Sequence, residues 1–256
     1  MMSILREKRD HIEIITINRP EARNAIDGPT STAIGNALEE IENDKDVWVI
    51  IITGSGDKAF CAGMDLKAFA SGQVGEIASP KYGFAGIAKR KLSKPIIAAV
   101  NGAALAGGCE IMLSCDLVVA STTAIFGIPE AKRGLIAGGG GLIRLQKRLP
   151  LSIALELALT GDPIDANRAF ELGLVNRVVD QSSVLDEAVK LANAIAENSP
   201  IAVRNSKKVM YETFGTDEET AWKISDAAFG EIFTSPDAME GAVAFAEKRK
   251  PNWSPI

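Results

Sequence analysis

Along the first two thirds of the chain, short unbroken apolar runs alternate with stretches whose apolar residues recur every three or four positions. "HIEIITIN" (11–18) alternates weakly and is β-branched, which predicts a strand ended by "RPEARNA". "VWVIIIT" (47–53) and "KPIIAAVNG" (94–102) are continuous apolar runs, the kind buried on both faces of a parallel sheet. "DLVVAS" (116–121) predicts one strand more. Between them, "TSTAIGNALEEIEND" (30–44) sets Ala33, Ile34, Ala37, Leu38 and Ile41 along one helical face. A second helix is predicted from about Ala106 to Ser114, and a third begins in "GGLIRLQKRL" (140–149). From Ser152 onward the pattern is helical except for "GLVNRVVD" (173–180). The stretch from Lys67 to Lys91 has scattered Gly, Ser and Pro and no firm period. It predicts a mobile loop or loose helix of the sort that covers a ligand. The pattern as a whole is an α/β core followed by a helical region.

Composition narrows the chemistry. The chain has 256 residues, 46% apolar and 24% charged, as a globular protein has. No apolar run approaches the ~18 residues of a membrane span, and no basic and apolar leader opens the chain; a cytoplasmic, membrane-free protein is expected. A net charge of −5 argues against nucleic acid as a partner, because phosphate contacts need clustered Lys and Arg. The densest basic run, "KRKLSK" (89–94), reads as a solvated helix end. Cys61, Cys109 and Cys115 form no CxxC pair and read as reduced, buried thiols. With His11 the only histidine, neither a zinc site nor a Ser-His-Asp device is expected.

Three stretches carry candidate chemistry. "VIIITGSGDKAF" (49–60) contains Gly54-x-Gly56-x-x-Ala59, but no clean helix and no later acid-tipped strand follow, so a strand-to-turn reading replaces the dinucleotide one. It runs into "FCAGMDL" (60–66), a tight turn with backbone N–H groups free to donate. "NGAALAGGCE" (101–110) starts a helix whose first N–H groups have no acceptor within the helix, and Glu110 lies one turn on among apolar residues. Glu110 is either one half of a buried ion pair, with Arg133 or Arg144, or a functional acid. "FGIPEAKRG" (126–134) adds Glu130. Two acids beside two small-residue loops are the parts needed to polarise a carbonyl and move protons next to it.

The chain resembles the enoyl-CoA hydratase/isomerase (crotonase) family. The resemblance rests on "NRPEARNAI", "GDKAFCAGMDLK", "KPIIAAVNGAALAGGCEIMLSCDLVVA", "FGIPEAKRGL" with "GGGGLIRL", "TGDPIDANRAFELGLVNRVV" and "EGAVAFAEKRKPNW", in that order. It implies a stacked ββα spiral core over 1–195 and a C-terminal helical oligomerisation region over 196–256, giving a homotrimer or a hexamer of paired trimers. It implies an acyl-CoA thioester as substrate, with coenzyme A carried by that substrate and no separate cofactor or metal. By position, the N–H groups of Met64 and Gly107 would form an oxyanion hole, and Glu110 and Glu130 would be the catalytic acids. Arg23, Ala25, Ala62, Gly63, Asp65 and Leu66 fall at the coenzyme A moiety, and Phe245 and Lys248 at its adenosine end from a neighbouring subunit. The implied reaction is reversible addition of water to a trans-2-enoyl-CoA, giving a 3-hydroxyacyl-CoA. The alternatives are an isomerase or carnitinyl-CoA-type dehydratase of the same fold, or a non-catalytic CoA-thioester or RNA-binding relative. Two departures from the family pattern, Ala106 for a third glycine and no proline ahead of Gly138, touch the acyl pocket.

Overall fold

The computed structural model describes residues 2–72 and 74–255. In chain order the first elements are β1 (Ile4–Arg9), β2 (Ile12–Ile17), α1 (Gly28–Asn43), β3 (Val49–Gly54), β4 (Ala59–Cys61), α2 (Leu66–Ala70), α3 (Val74–Ile77), β5 (Ala78–Ser79) and β6 (Gly83–Phe84). There follow β7 (Ile96–Val100), β8 (Ala103–Leu105), α4 (Gly107–Leu113), β9 (Leu117–Ser121), β10 (Ile125–Gly127), α5 (Gly141–Arg148) and α6 (Leu151–Thr160). The last are β11 (Ile164–Asp165), α7 (Ala166–Glu171), β12 (Arg177–Val179), α8 (Val184–Ala196), α9 (Pro200–Thr213), α10 (Glu218–Phe233) and α11 (Pro236–Glu247).

The continuous apolar runs lie at the centre of a six-stranded sheet of order β1-β2-β3-β7-β9-β12. Every residue of β3 is buried, because both faces of the sheet are covered. On one face Ile14, Ile51 and Ile97, paired in register across β2, β3 and β7, pack with Ala188 and Ala192 of α8. On the other, Ile15, Ile50, Ile52 and Ala98 join the larger core with Ile34, Leu38 and Ile41 of α1 and Ile111 and Met112 of α4. Each Ile or Leu so buried stabilises the fold by about 1.5–3 kcal/mol. Helix α1 starts where Asp27 accepts the Thr30 N–H at 2.9 Å, with Pro29 in its first turn.

A smaller sheet has the order β11-β10-β8-β4. Three times the chain leaves a long strand of the first sheet, makes a short strand of the second and turns back: β3 to β4, β7 to β8, β9 to β10. This repetition is the stacked ββα spiral. It stacks the stretches after β4, β8 and β10, so "FCAGMDL", "NGAALAGGCE" and "FGIPEAKRG" come together although the sequence spreads them apart.

Several elements differ from the sequence pattern. The charged stretch of β1 pairs antiparallel with β2 as an edge strand, where Arg6 reaches Glu13 at 2.7 Å. An edge strand needs only one partner and no apolar alternation, so no periodic signal marks it. β11 is two residues long and closes the small sheet. The stretch from Lys67 to Lys91 holds parts of α2, then α3 and the β5–β6 hairpin; Gln73, within it, lies outside the described residues. Among the described residues no helix is long and apolar enough to cross a membrane. At the C-terminal end α10 packs on α9, and the Trp253 indole donates to the Glu197 carbonyl at 2.8 Å. Trp222, Phe229, Phe233, Met239 and Phe245 are exposed on this region.

Candidate active site

Helix α4 enters through an unusual backbone. Ala106 precedes it at φ 52°, ψ −128°, a conformation that favours glycine and costs an alanine roughly 1–3 kcal/mol. Gly108 follows because the helix start presses on β4: a Cβ there would overlap the Cys61 carbonyl. Gly63, at φ 98°, is held as tightly, since a Cβ on it would lie 2.9 Å from the Ala106 Cβ and 3.0 Å from the Gly107 nitrogen. The turn after β4 and the first turn of α4 therefore touch.

Around this contact most backbone donors are taken. Ala62 N–H donates to Arg23, Ile26 N–H to Gly63 and Asp65 N–H to Ile26, at 3.0, 2.8 and 2.9 Å. Among the described residues the Met64 and Gly107 N–H groups have no protein acceptor. Two unpaired donors at adjoining turns, one of them at a helix N-terminus, suit an oxygen that gains negative charge.

Glu110 is 4% exposed. Among the described residues it forms no ion pair, so the pairing with Arg133 or Arg144 is not made. Arg144 instead donates to the Ala88 carbonyl at 2.5 Å, and Arg133 lies exposed beside Glu130. Glu110 Oε1 accepts the Gly141 N–H at 2.9 Å, from the first residue of α5. The glycine run 138–141 is what lets the chain come so close, for a Cβ on Gly139 would sit 2.5 Å from Glu110 Oε2. Burial pushes the Glu110 carboxyl above the usual glutamate range; the Gly141 N–H opposes this, the Glu130 charge adds to it, and Gly139 and Arg144 oppose it.

Glu130 lies in the first turn of the 3-10 segment Pro129–Arg133 and is half-buried. Its Oε2 is buried without a hydrogen-bond partner. Burial raises this carboxyl too, while its own backbone N–H and the Arg133 charge pull it down. Both acids have a backbone donor that favours the ionised form, but only Glu130 also has a buried oxygen without a partner, which a proton would satisfy. The thiols of Cys61, Cys109 and Cys115 are pushed up to about 12, first of all by burial, and stay protonated at neutral pH.

The remaining candidates fall into two groups. Arg23 is exposed at φ 53°, Ala25 and Gly63 are buried, Ala62 is half-buried and Leu66 is 53% exposed, all on the two loops next to Met64. A cleft of about 300 Å³ opens beside Arg23, lined also by Ser55, Gly56 and Lys58 but by none of the other candidates. The Asp65 carboxylate is already engaged, capping α2 through the Lys67 and Ala68 N–H groups and accepting from Arg19 at 2.9 Å. Phe245 and Lys248 lie elsewhere, at the end of α11; Phe245 is 87% exposed and meets little of its own chain. Two residues that do work here escaped the sequence reading. Arg19 ties Asp27, Asp65 and the Ala25 carbonyl together, and Phe84 packs against Gly107. Arg19 lies within the quoted "NRPEARNAI"; Phe84 sits in the aperiodic stretch and carries no local signal.

Comparison with known proteins shows the family. Residues 7–255 match the sequence profile of the enoyl-CoA hydratase/isomerase family. The chain is 40% identical over 252 residues to a short-chain-enoyl-CoA hydratase of Clostridium acetobutylicum, covering 97% of this chain and 96% of that one. It is also 40% identical over 247 residues to a carnitinyl-CoA dehydratase of Proteus mirabilis, covering 94% of each. Among solved structures, an enoyl-CoA hydratase from Mycobacterium tuberculosis superposes with a TM-score of 0.96 at 48% identity over the full length of both chains.

Proposed function

The chain belongs to the enoyl-CoA hydratase/isomerase family, and on that footing we propose that it adds water reversibly across a trans-2-enoyl-CoA to give a 3-hydroxyacyl-CoA. The observation that carries the reading is Glu110, a carboxylate 4% exposed, anchored by the Gly141 N–H one turn beyond the unpaired Gly107 N–H. The thioester carbonyl accepts from Met64 and Gly107. Glu110, ionised, takes a proton from water as its oxygen bonds to Cβ. The electron pair of the double bond moves towards the thioester, and charge gathers on the carbonyl oxygen as an enolate. Each N–H there is worth roughly 3 kcal/mol in the transition state. Glu130, protonated, gives its proton to Cα as the carbonyl reforms. Exchange with solvent then returns a proton to Glu130 and removes one from Glu110. These steps route no electron or charge through a metal or a redox group; coenzyme A enters as part of the substrate.

Arg23, Ala25, Ala62, Gly63 and Leu66 would line the path of the coenzyme A moiety. Asp65 would act there by fixing α2 and Arg19 rather than by touching ligand. The exposed apolar side chains of α10 and α11 support packing between copies, as a trimer or paired trimers, which would bring Phe245 and Lys248 to a neighbour's site. A cytoplasmic location fits this chemistry.

A second reading has the same support at the level of identity, since the Proteus relative is a carnitinyl-CoA dehydratase. Its chemistry would be the same steps run backwards. The test is to incubate the protein with four-carbon trans-2-enoyl-CoA and identify the product. Formation of 3-hydroxyacyl-CoA is the expected result; a shifted double bond without water uptake, or no turnover of any enoyl-CoA, would overturn the reading.

A further inference from the structure

Phe84 reaches both halves of the site. A Cβ placed on Gly107 would overlap the tip of its ring, at Cε1 and Cζ. A Cβ placed on Gly139 would lie 3.2 Å from the Phe84 Cβ and 2.5 Å from Glu110 Oε2. The side chain therefore runs from the glycine that anchors Glu110's surroundings to the glycine whose N–H is free, and it is only 9% exposed.

The backbone that carries it is closely constrained. Gly83, Ala85 and Gly86 take φ of 70°, 54° and 66°, so Phe84 stands inside a turn of left-handed residues, one of them an alanine. Ala85 N–H donates to the Ile77 carbonyl at 3.1 Å, and the Phe84 carbonyl accepts from Ile87 and Ala88 at 3.2 and 3.1 Å. The Gly86 backbone lies against Gly35 of α1, and Arg144 of α5 grips the Ala88 carbonyl. The ring has two side-chain torsions to adjust where a methionine has three.

We propose that Phe84 is the wall that ends the acyl pocket and confines the enzyme to short acyl groups. This rests on the hydratase reading for the direction of the substrate. With its carbonyl at the Gly107 N–H and its Cβ facing Glu110, an enoyl group runs beside the Phe84 side chain, whose ring tip lies against Gly107 and whose Cβ lies beside Gly139. Atoms from Cγ onward run alongside the ring or into it. A four-carbon acyl group stops there, and a twelve-carbon one meets an aromatic face.

The experiment compares the wild type with Phe84→Ala and Phe84→Leu in two readouts. One is the Kd of butyryl-CoA and of lauroyl-CoA, both saturated and unreactive, by calorimetry. The other is kcat/KM for hydration of the four- and twelve-carbon trans-2-enoyl-CoAs. The wild type should favour the four-carbon ligand in both, and Phe84→Ala should move the long-to-short ratio by about tenfold or more towards the long chain. Phe84→Leu should move it less, and it decides the matter should the alanine variant not fold. An unchanged ratio, or a wild type that binds both ligands equally, overturns the proposal. A wild type that hydrates neither enoyl-CoA but still discriminates by Kd supports the wall and sinks the hydratase reading.

Discussion

Lys94 and Glu110 leave water to nearly the same extent, 0% and 4% exposed, and each lies at the end of a helix. The Lys94 ammonium donates to the Ile41 and Asp44 carbonyls at the C-terminal, negative end of α1. Glu110 accepts from Gly141 at the N-terminal, positive end of α5. Burial works against both charges, lowering the Lys94 amine to about 8 and raising the Glu110 carboxyl. What differs is the surroundings. Around Lys94 the ammonium meets main-chain carbonyls at the end of α1 that also accept backbone N–H groups, and its charged neighbours Glu42 and Arg204 keep buried polar atoms without a partner. Around Glu110 stand two unpaired N–H groups and an orphaned oxygen of Glu130. An unpartnered buried group is not by itself the sign of a ligand; Glu110 stands apart because two of the free groups near it are adjoining main-chain N–H donors.

The comparison breaks if the two charges respond alike to removal. Glu110→Gln should lower hydration by ~10²-fold or more, as loss of a general base does. Its melting temperature near neutral pH should not fall. The sign follows from the raised carboxyl, which binds its proton more tightly folded than unfolded: its stabilisation is present at acid pH and is lost as pH rises through the folded value. Melts of both proteins across that range check this, and a stability loss matching the activity loss would make Glu110 structural.

The pH–rate profile sharpens the same contrast. Glu110 must be ionised and Glu130 protonated, so hydration should fall by about tenfold per pH unit on either side of an optimum. Both limbs should stand above the ordinary glutamate value of 4.5, because burial raises both carboxyls. A flat alkaline side in steady-state assays would remove Glu130 as the proton donor.

Lys94→Met keeps most of the buried volume but takes a charged donor from two carbonyls, which keep only the Asp44 and Val47 N–H groups, at a cost of about 1.5–3 kcal/mol. Denaturant unfolding should show that loss with kcat unchanged. The wild type should gain on the variant as pH rises from about 8, where the folded chain gives up a proton that the unfolded chain keeps. The smallest effect belongs to Ala106→Gly, which relieves a Cβ held at φ 52°. It should change the unfolding free energy by about 1 kcal/mol or less, the relief partly offset by the freer unfolded chain. A large destabilisation would show that the Ala106 methyl matters more for its packing against Gly63 than for its strain.

Much of this was open to reading from residues in a row. The buried runs of β3, β7 and β9 announced themselves by apolar continuity, and α1 by its spacing. Gly107 and Glu110 were visible as a helix start and an acid one turn on. β1 was not visible, since an edge strand needs no buried face. Glu110 taken alone stood between an ion pair and a functional acid, and nothing local could separate the two. Arg19 and Phe84 had no local mark of their role: one acts by spanning two loops, the other by lying against glycines far along the chain.

By itself, the sequence determined the alternation of strands and helices, the six motifs in their order and the presence of two acids in low-charge segments. Those are matters of period and residue type, which short-range sterics and apolar burial dictate. The tertiary structure alone decided that Glu110 is met by Gly141, a partner 31 positions on, and not by an arginine. It alone brought Met64 beside Gly107 and set the Phe84 ring against Gly107. The reason is that these contacts join separate turns of the ββα spiral. Their distances depend on how the two sheets register, a sum over many buried residues, and no one of the stretches involved carries that information.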